Sequence, residues 1–84
     1  MSLTKWEPKV TAYKARYQDR GHDLRLEVDK SDIPGSNAWY WRVINEEGAT
    51  VADGCRTGED NFSGLGPAKS ACTRAAKKYT RGIG

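Results

Sequence analysis

The chain has 84 residues, 37% of them hydrophobic, and its aromatic side chains are three Trp, four Tyr and one Phe. This length suits one domain spanning residues 1–84, with residues 1–5 a possible leader outside the fold. No apolar run reaches the ~20 residues that a membrane-spanning helix needs. The start of the chain also lacks the apolar stretch of a signal peptide. We therefore expect a cytoplasmic protein without a membrane segment.

The net charge of +3 is unevenly distributed along the chain. Residues 1–20 have a balance of +3, residues 21–66 a balance of −5, and residues 67–84 a balance of +5 with no acidic residue. A polyanion is attracted to a local excess of positive charge. The distribution therefore predicts a dipolar molecule and argues against one that binds nucleic acid on every face.

Residues 4–18 fit two structures. A helix would align four large side chains on one face: Trp6, Val10, Tyr13 and Tyr17. Pro8 would remove a hydrogen bond from that helix. In a strand, one face would carry Thr11, Tyr13, Ala15 and Tyr17, and residues 18–23 would form a hairpin loop. Enrichment in Tyr, Thr and Val favours the strand, although the pattern leaves both structures open.

Three later segments alternate as strands do. The first places Leu24, Leu26 and Val28 on one face. The second places Trp39, Trp41 and Val43 on one face and Tyr40 with Arg42 on the other. Residues 45–48 suit a type I turn followed by a glycine with positive φ, after which residues 49–53 return as the third strand. Residues 31–37 and 57–66 are predicted to be loops.

A helix is predicted after Gly66, with Pro67 at its first position and Gly82 as its C-cap. One stripe of this helix carries small or apolar residues at helical spacing: Ala68, Ala71, Cys72, Ala75 and Tyr79. The other side is polar and basic. The predicted fold is therefore α+β, a three- or four-stranded antiparallel sheet with a C-terminal amphipathic helix packed on one face. The core face of the sheet should carry Leu24, Leu26, Val28, Trp39, Trp41, Val43 and Val51.

The sequence offers little material for catalysis. His22 is the only histidine, and no nucleophile elbow, phosphate-binding glycine loop or zinc-protease motif is present. We expect a protein that is not an enzyme and has no cofactor or metal. Cys55 and Cys72 are expected to be small structural thiols, with a disulfide or a metal site as the alternative.

The basic helix points to phosphates as ligands. The predicted nucleic-acid contacts are Lys69, Arg74, Lys77, Lys78 and Arg81 on the helix, with Tyr40 and Arg42 on the sheet. Trp39 and Trp41 could stack on bases, but core packing is the preferred interpretation. The alternative function is a protein-interaction module, acting on a host protein or self-associating, that uses its acidic strand surface and binds no nucleic acid. The sequence does not predict the oligomeric state.

Residues 64–76 resemble the end of a double-stranded-RNA-binding domain, in which G-x-G leads into a lysine-rich helix start and an Ala-Ala pair. That resemblance implies RNA binding through Lys69, the one lysine that matches. The order of three strands then a helix is also similar to that family, as would be an initial helix if residues 4–18 form one. The pattern Trp39-x-Trp41-x-Val43, Gly48, residues 51–54 and an alanine-rich helix also resembles small uncharacterised proteins of bacteriophages and actinobacteria. This second resemblance implies a sheet meander with a C-terminal helix.

Overall fold

The computed structural model of the protein describes residues 2–9, 12–31, 33, 35–59 and 63–81. These residues form six strands and a helix: β1 (Ser2–Leu3), β2 (Glu7–Lys9), β3 (Ala12–Asp19), β4 (His22–Lys30), β5 (Ala38–Ile44), β6 (Thr50–Thr57) and α1 (Leu65–Thr80). All six strands belong to one antiparallel sheet. The predicted α+β class is confirmed.

The four long strands form a meander in the order β3-β4-β5-β6. The two short strands both pair with the other side of β3, β1 near Tyr17 and β2 near Tyr13. Thr4, which lies between the two short strands, also contacts β3, because its Oγ1 accepts a hydrogen bond from the Arg16 N–H at 2.8 Å. This edge of the sheet is therefore covered, whereas no described strand pairs with the outer side of β6.

The N-terminal region is strand in the described residues, so the helix that was left open over residues 4–18 is not formed. Ala15 and Tyr17 are buried and Lys14 and Arg16 are exposed, as expected of a strand with one wet face. Val10 and Thr11 lie outside the described residues. The strand forms because a period of two places Ala15 and Tyr17 on the core face, where they are the cross-strand partners of Leu26 and Leu24.

The predicted hairpin between β3 and β4 is confirmed, but its loop is shorter than residues 18–23, since only Arg20 and Gly21 lie outside the two strands. Both have positive φ, 52° and 83°. That combination defines the two-residue turn whose twist matches an antiparallel hairpin. The adjacent Asp19 and His22 are cross-strand partners, so the hairpin extends to the turn itself.

The core lies between α1 and one face of the sheet. Leu24, Leu26, Val28 and Val43 are fully buried and Trp39 is 2% exposed, while Trp41 and Val51 pack against them and are partly buried. The predicted core face is thus confirmed. None of the described residues forms a helix long and apolar enough to cross a membrane.

Helix α1 begins at Leu65, two residues before the predicted start, with Gly64 as its N-cap. Pro67 still lies in the first turn, where a missing N–H costs little. The buried helix residues are Ala68, Ala71, Cys72, Ala76 and Thr80. Ala75 and Tyr79 are only partly buried, because the row that faces the sheet is spaced by four residues, from Ala68 to Thr80. Gly82 lies outside the described residues.

The connection from β5 to β6 forms as predicted. Gly48 has a φ of 85°, and its N–H donates to the Asn45 carbonyl at 3.0 Å. Strand β6, however, continues four residues beyond the predicted end at Asp53 and stops at Thr57. Pairing with β5 across Gly54 sustains it, which places Arg56 opposite Trp39 on the helix side of the sheet.

Candidate nucleic-acid interface

Four of the seven predicted contact residues converge on one groove between α1 and β6. Its walls carry five cations: Arg56 from β6 and Arg74, Lys77, Lys78 and Arg81 from the helix side. Its floor is formed by Trp41 with Ala71 and Ala75, and its volume is about 470 Å³. These eight residues are called the basic groove below. The helix cations meet there because residues 74, 78 and 81 share one helical face.

The floor of the basic groove depends on a glycine. Gly54 is the cross-strand partner of Trp41, and a Cβ at residue 54 would lie 2.6 Å from Cε2 of the indole. The missing side chain therefore lets the indole lie directly on β6. The Trp41 Nε1 is buried, and the described residues supply no hydrogen-bond acceptor for it.

The five cations of the basic groove are available to a ligand. Among the described residues, no carboxylate forms an ion pair with any of them. Arg56 Nη1 donates to the neighbouring carbonyl of Cys55, at 2.9 Å. Lys77 and Lys78 also lie in the last turn of α1, where positive charge interacts favourably with the helix dipole. Within the part of the chain that the structure describes, the groove is thus a concentration of positive charge that no carboxylate neutralises.

Lys69 lies apart from the basic groove, near the start of α1. Its Nζ is 4.3 Å from the centre of the Tyr13 ring and 5.7 Å from that of the Trp6 ring, in cation–π contact. A second depression of about 330 Å³ surrounds it, called the tryptophan groove below. Its lining is Trp6, Lys69, Ser70, Thr73, Arg74 and Lys77.

Tyr40 and Arg42 lie on the face of the sheet opposite to α1, away from the other predicted contacts. Nε and Nη2 of Arg42 donate to Glu27 Oε1 at 2.9 and 2.6 Å. These hydrogen bonds, followed by the charge of the carboxylate, raise the pKa of Arg42. Tyr40 is 49% exposed. Arg42 therefore neutralises buried Glu27. Tyr40 lies on the same face, opposite to α1, and its side chain remains accessible.

The histidine and the cysteines do not line either groove. His22 packs edge-on against Tyr79, with ring centres 5.3 Å apart, and its Nδ1 is 3.6 Å from Glu46 Oε1. Both cysteines are free, Cys55 exposed and Cys72 buried, so the disulfide alternative is not realised. Burial raises the pKa of the Cys72 thiol to about 12, which keeps it protonated and unreactive.

Two residues of the interface, Arg56 and Trp6, were missed from the sequence. Arg56 stands beyond the predicted end of its strand, after Gly54, in the segment with a charge balance of −5. Gly54 is the cross-strand partner of Trp41 and shares its face of the sheet. Continuing the strand alternation by two residues from Gly54 would have placed Arg56 on the helix side. Trp6 gave no such signal, since its position depends on how β1 and β2 fold back onto β3.

No family model, curated protein or solved structure matches the chain.

Proposed function

We propose that the protein is a small, non-catalytic binding module that contacts nucleic-acid phosphates through the basic groove. The observation that carries this proposal is the convergence of five cations, unpaired within the described residues, from two separate elements on one groove. Four of them come from the acid-free segment 67–84, and Arg56 joins them from β6.

Phosphates are the ligand class that this arrangement suits best. Each cation that neutralises a phosphate releases condensed counterions, which drives binding without any base contact. Lys and Arg contacts to phosphates position a nucleic acid and carry no sequence information. Binding with weak sequence preference follows from this chemistry.

The test is fluorescence anisotropy with labelled nucleic acids across a salt series. With five phosphates neutralised, log affinity should fall with log salt with a slope of about −3.5 for a single strand and −4.5 for a duplex. Lys77→Ala combined with Lys78→Ala should flatten the slope by up to about two units. Both side chains line the groove and neither belongs to the core, so this variant should keep the fold and lose only contacts with phosphates.

The matched control combines Lys14→Ala with Arg25→Ala. It removes the same charge from the opposite face of the sheet, where both side chains are exposed, and the salt slope should stay unchanged. Because Lys14 Nζ lies 3.9 Å from Glu27 Oε2, urea denaturation checks that this variant keeps its fold. Equal slopes for the two double variants would show that only net charge matters, and the basic groove would then be rejected. The weakest non-specific dissociation constants are about 100 µM. If no nucleic acid binds more tightly than this at low salt, the protein-interaction alternative replaces the proposed function.

A further inference from the structure

We infer that the interface takes single-stranded nucleic acid, with an unpaired base stacked on Trp6 in the tryptophan groove. This inference rests on the proposed function and names its ligand class. It also brings in a residue that the charge pattern alone does not indicate.

The two grooves share a wall. Arg74 and Lys77 line both the basic groove and the tryptophan groove, so this pair of cations forms a ridge on α1 between them. A strand whose phosphates contact Arg74 and Lys77 has an aromatic side chain on either side of its backbone: Trp6 in one groove and Trp41 in the other.

Trp6 is the tryptophan best placed to receive a base. It is partly exposed while packing against the core, and the contact with Lys69 holds the helix close to it. Packing against the core restricts the ring before a ligand arrives, which limits the entropy lost on binding. Trp39, by contrast, is 2% exposed, and Trp41 lies against Gly54 as the floor of the basic groove.

A partly exposed aromatic ring beside a cationic ridge favours single strands over duplexes. Sequence-tolerant binding of single strands combines a positively charged groove with aromatic side chains on which bases stack. In a duplex the base faces are occupied by neighbouring bases, so a duplex can use the cations but gains nothing from Trp6. The two ligand classes therefore differ in one measurable contribution.

The experiment compares three ligands of equal length: a thymine single strand, the same backbone without bases, and a duplex. Anisotropy at one salt concentration should give the thymine strand about tenfold higher affinity than the abasic strand, the order of magnitude of one stacked base. Trp6→Leu should remove that advantage and leave the affinities for the abasic strand and the duplex within about twofold. Trp6→Phe, which keeps an aromatic face, should restore most of it.

The outcomes separate the two proposals. Absence of binding to all three ligands overturns the proposed function and this inference with it. Equal affinity of the wild-type protein for thymine and abasic strands overturns the inference alone, as does a Trp6→Leu variant that keeps the preference for thymine. Both comparisons leave phosphate binding in place. The wild-type comparison needs no variant and decides whether a base contributes to binding, and Trp6→Leu decides whether Trp6 receives that base. If Trp6→Leu fails to fold, quenching of tryptophan fluorescence by the thymine strand decides the assignment, since it should be smaller in Trp6→Phe than in the wild-type protein, and equal quenching would overturn the inference.

Discussion

Gly54 is a position where one methyl group would reach both the core and the basic groove. The indole of Trp41 occupies the space of the missing side chain, so Gly54→Ala must displace the ring. Overpacking of this kind costs about 1–3 kcal/mol, and we expect this loss in urea denaturation together with weaker nucleic-acid binding. Gly66→Ala is the control, since its added Cβ meets nothing within 4 Å, and it should not lower stability.

The two thiols should react differently with an alkylating reagent. Cys55 is exposed and should be modified in the native protein, whereas Cys72 is buried and should be modified only after unfolding. Mass spectrometry with and without denaturant measures this difference. Two modifications of the native protein, as fast as those of the unfolded chain, would contradict the packing of Cys72 beneath α1.

The same thiol makes stability depend on alkaline pH. Burial raises the pKa of Cys72 from 9.0 to about 12, so between these values the unfolded chain loses a proton that the folded protein keeps. The contribution to stability is complete below pH 9 and falls as the pH rises towards 12. Relative to wild type, Cys72→Ala should show a smaller decline over this window in urea denaturation at constant ionic strength.

At the level of elements, the helix is held to the sheet by small side chains. Ala76 is fully buried and Ala75 only partly, so Ala76→Leu should cost about 1–3 kcal/mol and Ala75→Leu clearly less. Thermal denaturation of both variants compares them directly. Equal losses would show that Ala76 does not face the sheet as the row from Ala68 to Thr80 implies.

The elements that the sequence predicts best are those with an uninterrupted period. Leu24 to Val28 and Trp39 to Val43 alternate without a break, and their core face is confirmed. The N-terminal segment was ambiguous because Tyr13 and Tyr17 satisfy a period of 3.6 together with Trp6 and a period of two together with Ala15. The predicted β6 was too short because a glycine such as Gly54 normally weakens a strand. In the structure the side chain of cross-strand Trp41 fills the space above Gly54, and the strand continues.

At the level of the whole molecule, the charge balance of residues 67–84 correctly indicated where positive charge would concentrate. It did not indicate which cations outside the helix would join it. Arg42 and Arg56 both lie on strands, but Arg42 faces away from α1 and pairs with Glu27, whereas Arg56 enters the basic groove. Strand register separates them, and register is set by pairings between distant residues.

The outer side of β6, which no described strand covers, has a consequence for self-association. A free strand edge is a template on which another chain can add. Two copies that met through β6 would bring their basic grooves together, ten cations in all, and this repulsion opposes aggregation. A polyanion that fills the groove neutralises the same charges. If a nucleic acid fills the groove as we propose, the bound protein, more than the free one, is the state in which neighbouring copies would join edge to edge.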